Sequence, residues 1–535
     1  MTQASGNPPR KSRRRRARRP QRNKERPSGR NLATAIDTAT RVFGIRELRR
    51  EQKRALEAIL AGRDALCVLP TGFGKSLIYQ VPGAMAPRPT VVVSPLIALM
   101  SDQEQALRRK GVPTVRIDGT LLVQEKRDAL ARLAKGGRLI VLTTPETLQS
   151  DATREAFEKA KPWLLCVDEA HCISEWGHDF RPAYMRLGML RESLGGPQVL
   201  ALTATATPRV QNDIAERLRL ERPLVLRVSP HRHNLRLEVE VVTKASKPER
   251  VARRLRKLQR PAIAYCSTIA ATDGLALTFQ RAHIPSASYH GRMARAERQA
   301  ALKQFLKPKQ KLLMVATSAF GMGIDKPDIR TIFHYQCPGS LEQYVQESGR
   351  AGRDGKPSNC ILFFDEDDLL IQEHLQRTGR AHAGQLQRIA RALEAWAGAA
   401  RPVAIPELAL SAGTPQTVTR SVCTQLEELG ALERDALKRM HLMVSAPELR
   451  SRIDELLGRM LTRFREDDER LDAVREYANT SECRSIFLRR YFGEENPPAC
   501  GLCDRCGGAL DDRRATSPER GQRTGRPKRR RRKHA

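Results

Sequence analysis

Between about residues 40 and 375, short runs of apolar residues alternate with segments of helical periodicity. The runs are four or five residues long and end in Pro, Thr, Ser or Asp, for example at 65–69, 90–93, 139–142 and 164–167. Continuous apolar strands separated by helices are typical of a parallel sheet buried on both faces. The pattern pauses at 228–235 and resumes at 262–265, so we predict two α/β domains that join near residue 235.

Residues 385–445 have a different character. A short helix is predicted before the turn signal Gly413-Thr414-Pro415, and a second helix follows it until Gly430. The apolar face of that second helix consists of Val418, Val422, Leu426 and Leu429. With short strands predicted at 431–433 and 442–444, this is the outline of a winged helix. A helical connector followed by a hairpin is the alternative.

The segment 446–507 begins with an amphipathic helix and ends in a group of cysteines. The apolar stripe of the helix is formed by Ile453, Leu456, Leu457, Met460, Leu461 and Phe464. We predict a helical hairpin here, followed by the cysteine site.

The chain has 535 residues with 95 Lys/Arg and 60 Asp/Glu, a formal charge of +35. Its length predicts about three or four domains. Much of the charge is terminal, since residues 1–30 hold 12 Lys/Arg and one Glu, and 513–535 hold 11 and one. We therefore predict basic disordered tails at 1–30 and 508–535 around domains at 31–234 and 235–380. Such tails favour non-specific binding of polyanions through counterion release, with simple solubility arms as the alternative.

Several classes of protein are not expected. The chain contains no run of about 18 apolar residues, and no apolar region follows the basic N-terminus, so we expect neither a membrane span nor a secretory signal. Seven of the 11 cysteines are scattered, which is typical of a reduced cytosolic protein. We expect a cytoplasmic protein, associated with the nucleoid if it is bacterial.

A phosphate-binding loop is predicted directly after the first strand, at Pro70-Thr71-Gly72-Phe73-Gly74-Lys75-Ser76. Glycines let the backbone wrap phosphates, and amides at a helix N-terminus point at them. Lys75 would reach the β- and γ-phosphates of a nucleotide, and the Ser76 hydroxyl would hold Mg²⁺. Position 69 is Leu where the common pattern has Gly. A turn without phosphate binding is the alternative.

Two carboxylates end the strand at 164–167, in the sequence Asp168-Glu169-Ala170-His171. Ligands of open α/β sheets bind at the carboxyl ends of the strands, where the predicted phosphate loop also lies. Asp168 would hold Mg²⁺, and Glu169 would polarise the attacking water.

Together these residues resemble superfamily 2 helicases and, closely, the RecQ family of DNA helicases. The segment from Phe43-Gly44 to Gln52 resembles the adenine-recognising motif of the family, which makes Gln52 the base reader with Arg49 beside it. Further resemblances to family motifs lie at 94–103, 203–206, 316–325 and 346–355. The resemblance implies two RecA-like parallel-sheet motor domains, followed here by the winged-helix-like segment and the helical zinc-binding segment.

The last of these motifs carries two arginines. By position in the family motif, Arg353 is the arginine finger that stabilises charge on the γ-phosphate, and Arg350 lies beside it. Either arginine could instead form a salt bridge that closes the domains.

The stretch at 171–184 separates RecQ-like proteins from other helicases and holds three of the 24 aromatic residues. Aromatic faces stack on bases, which makes Trp176 and Phe180 candidate DNA contacts, and Arg181 adds a phosphate or cation–π contact. The alternative is that both rings pack the domain. His290 lies where the family contacts the DNA backbone, and a packed histidine is the alternative there.

Four thiolates are offered by Cys483, Cys500, Cys503 and Cys506. Four soft ligands at this spacing suit a structural tetrahedral Zn²⁺, and a Cys-x-x-Cys-x-x-Cys run also suits an iron–sulfur cluster. The surrounding segment 483–494 resembles the RecQ zinc-binding segment, which favours zinc.

The resemblance implies an ATP-dependent DNA helicase that moves 3′ to 5′ and unwinds forked, gapped or junction DNA in recombination and repair. ATP, Mg²⁺ and Zn²⁺ are the implied ligands. Single-stranded and branched DNA are the implied partners, with single-strand-binding or recombination proteins as possible others. The sequence does not indicate an oligomeric state. The alternatives are a DNA-binding, annealing or remodelling protein with little unwinding, and an RNA helicase. One departure stands out, because family members commonly place the winged helix after the zinc segment and here the candidate precedes it.

Overall fold

The computed structural model describes residues 31–174, 181–257, 259–308, 311–321, 324, 326–378, 380–435 and 437–507. Two parallel sheets dominate these residues, which confirms the predicted α/β fold with two RecA-like domains. A helical segment with a small hairpin follows, and then the cysteine site. Among the described helices, none is both long enough and apolar enough to cross a membrane.

The first domain contains a seven-stranded sheet in the order β3-β4-β2-β5-β6-β1-β7, and every neighbouring pair is parallel. Its strands are β1 Ala65–Val68, β2 Thr90–Val93, β3 Thr114–Ile117, β4 Ile140–Thr143, β5 Leu164–Val167, β6 Gln198–Thr203 and β7 Leu224–Arg227. Its helices are α1 Leu32–Arg41, α2 Arg50–Leu60, α3 Leu77–Met85, α4 Ile97–Arg109, α5 Val123–Ala134, α6 Asp151–Ala160, α7 Pro182–Met185, α8 Leu187–Ser193 and α9 Pro208–Arg217, with 3₁₀ turns at Thr147–Gln149 and Ala170–Ile173. Strands β1, β2, β4 and β5 are buried at every residue, as expected for strands covered by helices on both faces.

The second domain contains a six-stranded parallel sheet in the order β10-β11-β9-β12-β13-β8. Its strands are β8 Leu235–Val241, β9 Ala262–Tyr265, β10 Ser286–Tyr289, β11 Leu313–Ala316, β12 Thr331–His334 and β13 Ser358–Phe364. Its helices are α10 Lys247–Lys257, α11 Ile269–Arg281, α12 Arg295–Leu306, α13 Leu341–Ser348 and α14 Asp367–Arg377. The chain passes from the first sheet to the second between Arg227 and Leu235, a segment that we call the hinge.

The C-terminal elements are mostly helical, and those before residue 457 share an apolar core of their own. They are α15 Ala383–Gly398, α16 Ile405–Ala412, α17 Gln416–Glu428, β14 Leu432–Arg434, β15 Met440–Leu442, α18 Ala446–Asn479 and α19 Arg484–Tyr491. The predicted face of α17 is buried at Val418, Val422 and Leu426, and it packs with residues of α15 and α16. Helices α16 and α17 with the antiparallel β14–β15 hairpin form a winged-helix-like segment.

The second strand of this hairpin begins and ends two residues earlier than predicted. The side chain of Asp435 accepts hydrogen bonds from the Arg439 amide at 2.8 Å and from the Arg439 guanidinium at 2.9 Å. These bonds make a tight turn, so Arg434 pairs with Met440 and Leu432 with Leu442. The expected alternation of apolar residues did not reveal this capped turn.

Helix α18 has 34 residues, which corresponds to a length of roughly 50 Å. Its N-terminal half packs on the winged-helix-like segment through Leu449, Ile453 and Leu456. Its C-terminal half packs on the second domain through residues that include Val474 and Tyr477. The predicted apolar stripe is only partly buried, because Leu461 is 56% exposed where α18 passes from one core to the other.

A buried ion pair ties the first domain together at the amino-terminal end of β1. The fully buried Asp64 accepts hydrogen bonds from Arg191 Nη2 at 3.0 Å and from the amides of Val199 and Glu221, each at 3.0 Å. Arg191 in turn donates to the carbonyls of Pro197 and Leu218. One carboxylate therefore fixes the ends of three elements.

We expect the substitution Asp64→Ala to destabilise the first domain by about 3–5 kcal/mol, because it leaves the buried Arg191 guanidinium without its counter-charge. Calorimetric unfolding of the full chain measures the effect. The control is Asp37→Ala, which removes an exposed ion pair with Arg41 on α1 and should change the midpoint little. Equal midpoints for the two variants would contradict this account.

Candidate nucleotide-binding cleft and cysteine site

The loop between β1 and α3 has the backbone form of a phosphate cradle. Gly72 and Gly74 have φ angles of +80° and +86°, which side-chain-bearing residues rarely adopt. A Cβ atom on Gly74 would also lie 2.7 Å from Nε2 of the Gln52 side chain, so any side chain at position 74 would displace that of Gln52. Lys75 Nζ donates to the Leu69 carbonyl at 3.2 Å.

The leucine at position 69 is accommodated because its side chain is fully buried in the domain core. Its amide donates to the Thr203 carbonyl at 2.9 Å and so extends the pairing of β1 with β6. The loop therefore begins to curve only after this residue, and glycine is not required there.

Gln52, the predicted adenine reader, and Arg49 beside it both contact the phosphate loop. Gln52 Nε2 donates to the carbonyls of Phe73 and Gly74, each at 3.1 Å. The Gln52 side-chain oxygen accepts from the Arg49 amide at 2.9 Å. The Arg49 guanidinium carbon lies 4.6 Å from the centroid of the Phe73 ring, at cation–π distance. A base held by this pair would therefore be coupled to the conformation of the loop.

The two predicted carboxylates lie at the carboxyl end of β5. Burial, followed by repulsion from Glu169, raises the pKa of Asp168 to about 7, and the nearby Lys75 opposes this shift. Glu169 adopts a left-handed backbone with φ of +47°, and its Oε2 is buried without a hydrogen-bond partner. An unsatisfied buried carboxylate oxygen beside a destabilised carboxylate is a donor set that suits a hard cation.

His171 connects this carboxylate pair to the end of β6. Its Nδ1 lies 2.9 Å from Thr203 Oγ1 and 3.5 Å from Glu169 Oε2. The Thr203 hydroxyl donates to the Thr205 carbonyl at 3.0 Å. The segment 203–206, which resembles a helicase motif, therefore lies in hydrogen-bond contact with the carboxylate segment.

The two predicted arginines take different places. A Cβ atom on Gly72 would lie 3.5 Å from Arg353 Cγ, so Arg353 lies against the phosphate loop from the opposite domain. Its Nη1 donates to the Ile324 carbonyl at 2.9 Å. Arg350 is buried and donates instead to the Gly321 carbonyl of its own domain.

Sequence reasoning missed a third arginine, in the hinge. Arg232 Nη1 donates to the Gly349 carbonyl at 3.0 Å, and Nη2 donates to the Gly352 carbonyl. The Asn234 side chain donates to the Gly352 carbonyl as well, at 2.8 Å. These bonds fix the segment that carries Arg353. Only the unusual Arg232-His233-Asn234 sequence between two apolar patterns could have drawn attention to it.

The predicted DNA contacts are described only in part. Trp176 and Phe180 lie outside the described residues. Arg181 follows them directly; its amide donates to the Cys172 carbonyl at 2.9 Å, and its guanidinium lies 3.5 Å from the Pro95 carbonyl. Tyr184, which the motif also contains, is fully buried and donates its hydroxyl to the Asp168 carbonyl at 3.1 Å.

His290 is a buried residue in this structure. Its Nε2 lies 3.1 Å from an Asp273 carboxylate oxygen, and its Nδ1 is buried without a hydrogen-bond partner. Only 8% of the residue is exposed, so any contact with a DNA backbone would be made by its edge.

The four predicted cysteines come together as a compact cluster. Their sulfurs lie within 4.8 Å of one another, and the individual Sγ–Sγ distances include 3.5 Å for Cys483–Cys500 and 3.8 Å for Cys483–Cys503. A tetrahedral Zn²⁺ site with Zn–S distances of about 2.3 Å requires sulfurs roughly 3.8 Å apart. Backbone amides also point at the sulfurs, for example Cys503 N to Cys500 Sγ at 3.4 Å. The cluster therefore fits a structural zinc ion.

Asp504 attaches the cysteine cluster to the edge of the second sheet. Its amide donates to the Leu237 carbonyl at 3.1 Å, and its carboxylate accepts from the Val239 amide at 3.2 Å. The same carboxylate is paired with the buried Arg484, with the closest contact at 3.0 Å. These bonds cover the side of β8 that has no neighbouring strand in the sheet.

The fold and the cleft define a helicase with two RecA-like domains. Family profiles agree, because residues 49–214 match the DEAD/DEAH box helicases, 246–355 the helicase conserved C-terminal domain and 438–507 the RecQ zinc-binding domain. The chain belongs to the RecQ family of ATP-dependent DNA helicases.

Curated relatives support this assignment over most of the chain. The probable ATP-dependent DNA helicase RecS of Bacillus subtilis is 34% identical over 475 residues, which cover 88% of this chain and 91% of RecS. RecQ of Synechocystis is 32% identical over 87% of this chain and 96% of its own length. The RecQ-like helicase BLM of Xenopus laevis is 38% identical, but the match covers 64% of this chain and only 26% of BLM.

Solved structures support the fold alone. Dbp5 of S. cerevisiae, bound to RNA and ADP BeF3, gives a TM-score of 0.52 at 17% identity and covers 65% of this chain and 92% of its own. The DUF1998 helicase MrfA bound to DNA gives 0.51 at 20% identity and covers 78% of this chain and 60% of its own.

We expect the purified protein to carry one zinc ion per chain and neither iron nor a visible chromophore, as measured by plasma mass spectrometry and absorbance. The substitution Cys503→Ser should remove the zinc and lower the unfolding temperature, because a tetrahedral site loses one of four thiolates. Cys423→Ala, at a buried cysteine of α17, is the control and should keep the zinc. Stoichiometric iron and sulfide would favour an iron–sulfur cluster instead.

Proposed function

We propose that this helicase couples ATP hydrolysis to 3′-to-5′ movement along single-stranded DNA, and that it unwinds forked, gapped or junction DNA in recombination and repair. The observation that carries the proposal is the contact of Arg353, in the second domain, with the phosphate loop of the first. Because the phosphates would be bound by both domains, hydrolysis would loosen the cleft and change the separation of the domains. Alternating grip on a strand then produces translocation.

Each residue of the cleft has a role that its position supports. Gln52 and Arg49 bind the adenine, while Thr71, Gly72 and Gly74 shape the loop around the phosphates. Lys75 leaves the Leu69 carbonyl to bind the β- and γ-phosphates. Glu169, with its unsatisfied oxygen, orients the attacking water. Arg353 stabilises the charge that develops on the γ-phosphate, and Arg350 holds the loop at Gly321, three residues before the Ile324 carbonyl that accepts from Arg353.

Ser76 and Asp168 would hold Mg²⁺. A bound magnesium ion neutralises charge on the phosphate oxygens during transfer. The raised pKa of Asp168, which results from burial and from Glu169, supports a cation at this position. Ser76 Oγ lies 3.5 Å from the Gln103 amide nitrogen, which helps to orient the hydroxyl.

DNA binding is proposed for Trp176, Phe180, Arg181 and His290. The support comes from the described residues on either side of 175–180, where the Arg181 amide is bonded to the Cys172 carbonyl and the Tyr184 hydroxyl to the Asp168 carbonyl. A base stacked on Trp176 or Phe180 would thereby act on the backbone of the residue that holds the cation. The hydrogen bond between Tyr184 and Asp168 would thus link DNA binding to ATP hydrolysis.

The remaining interactions are proposed from charge and chain order. The 12 cations of residues 1–30 and the 11 of 513–535 would strengthen the grip on DNA without sequence preference. Single-strand-binding and recombination proteins are proposed partners, and the cytoplasm, with the nucleoid in a bacterium, the proposed location.

A second candidate function is remodelling of bound protein or annealing of strands, with little unwinding. It is favoured by one observation: the winged-helix-like segment precedes the cysteine cluster in the chain instead of following it. The strand separation that family members assign to a hairpin beyond the zinc site is therefore not carried over to the β14–β15 hairpin.

We expect Arg353→Ala to lower kcat for DNA-stimulated ATP hydrolysis by about 10³-fold or more, since it removes the cross-domain stabilisation of the transition state. Lys75→Ala should abolish hydrolysis. The matched control is Arg281→Ala, at the exposed end of α11, with kcat within twofold of wild type. Steady-state phosphate release measures all three, and normal kcat in Arg353→Ala would refute the proposed finger.

We expect single-stranded DNA, and not single-stranded RNA, to stimulate hydrolysis at least tenfold. A duplex with a 3′ tail should be unwound while the same duplex with a 5′ tail stays intact, as followed by strand release. Stimulation without release of any tailed or forked duplex would support the remodelling function instead. Equal stimulation by RNA would argue for an RNA helicase.

A further inference from the structure

Five ring-bearing residues form a continuous contact series through the second domain, which we call the ring column: Tyr265, His334, Tyr344, Tyr477 and Phe487. Successive ring centroids are 5.5, 5.0, 5.2 and 5.8 Å apart, within the range of favourable ring pairs. The first four residues are no more than 3% exposed. The column runs from β9 and β12 through α13 to α18 and α19.

The Tyr265 end of the column lies near Arg350, the arginine that is bonded within the second domain. The Tyr265 hydroxyl donates to the Phe320 carbonyl at 3.1 Å. The next carbonyl, that of Gly321, accepts from Arg350. Tyr265 therefore helps to fix the loop that holds Arg350.

The middle of the column fixes the helix that leads into the arginine segment. His334 Nε2 lies 2.8 Å from Glu347 Oε2, and both side chains are almost completely buried. Glu347 is on the last turn of α13, three residues before Arg350, and its other oxygen accepts from Gln343 at 3.1 Å. The position of this helix end determines where the following loop places Arg353.

The other end of the column belongs to the zinc-binding segment. Tyr477 donates its hydroxyl to the Tyr344 hydroxyl at 3.3 Å, which joins α18 to α13. The Arg484 guanidinium carbon lies 5.5 Å from the centroid of the Tyr477 ring, and Arg484 Nη1 donates to the Tyr477 carbonyl. Arg484 is paired with Asp504, which stands between two of the clustered cysteines. A series of contacts thus links the cysteine cluster to the end of α13 and to the loop bonded by Arg350, and Arg353 follows three residues later in the chain.

We propose that the ring column transmits the placement of the zinc-binding segment to the arginines of the nucleotide cleft, and that Tyr344 and Tyr477 are positioning residues for ATP hydrolysis. The inference rests on the proposed function of Arg353. Close-packed rings cannot shift independently, so a displacement of α18 would move α13 and with it the arginine loop. The alternative is a packing role only, in which the rings fill the core between α18 and the second domain.

The test is the substitution Tyr477→Leu in the full chain, which interrupts the column but keeps an apolar side chain. A displaced arginine loop should lower kcat for DNA-stimulated hydrolysis about 10- to 100-fold and leave KM for ATP within twofold. Zinc content should stay at the wild-type level. The matched control is Phe363→Leu, which removes a buried ring from the other face of the second-domain sheet. There the ring centroids of Phe363 and Phe333 are 6.1 Å apart.

Suppose that the two variants show similar decreases in unfolding temperature. If both then keep the wild-type kcat, or if kcat falls equally in both, the column has only a packing role and the proposal is overturned. A selective loss of kcat in Tyr477→Leu supports it.

A double-mutant cycle separates this inference from the proposed function. If Tyr477 acts through Arg353, adding Tyr477→Leu to Arg353→Ala should lower kcat by less than twofold further. A full additional loss in the double variant would overturn the proposed coupling while leaving the finger intact. A normal kcat in Arg353→Ala alone would overturn both the finger and the coupling to it.

Discussion

The hydrogen bonds from Arg232 to the carbonyls of Gly349 and Gly352 are the constraint on which the cleft depends. Arg232 belongs to the hinge, and burial lowers its pKa from the ordinary value for arginine, so its charge is held where water is scarce. Charge-assisted bonds in such surroundings are strong, and removing the donor would leave two carbonyls unsatisfied. The segment that joins the domains is thereby also the segment that shapes the arginine loop. Any rotation about the hinge must carry Arg353 with it.

The zinc-binding segment adds a second constraint because it contacts both domains and the hinge. Asp504 covers the edge of β8 in the second domain. Glu494 accepts from the hinge Ser229 at 2.7 Å, and Gly493 approaches Pro208 of the first domain so closely that a Cβ atom would lie 2.5 Å from its ring. Any side chain at Gly493 would require this contact with Pro208 to shift. The cysteine cluster therefore stabilises more than its own fold, since it holds together the segment that makes these contacts with both domains and the hinge.

The sequence predicted well what depends on local pattern. Buried parallel strands, the glycine loop and the four cysteines all have signals within a few residues. It did not predict contacts between distant segments, such as the bonds of His171 with Thr203 or of Arg232 with Gly352, because no periodicity records which loops meet. Leu69 departs from the common loop pattern for a reason that only burial reveals. The hairpin register depended on the side chain of Asp435, which a pattern of apolar residues does not include.

The order of segments along the chain differs from that expected of the family, yet the cysteine cluster still reaches the motor. Helix α18 explains how, since its 34 residues leave the winged-helix-like core at Leu456 and enter the core of the second domain at Leu471. Between the two cores, the buried Asp467 is paired with Arg470 of the same helix and with Arg380, which follows α14, and the second of these pairs holds α18 against the second domain. A continuous helix transmits displacement along its length. Helix α18 therefore connects the winged-helix-like segment with both domains, through the core around Leu471 and through the ion pair of Glu466 with Arg209 of the first domain at 3.8 Å.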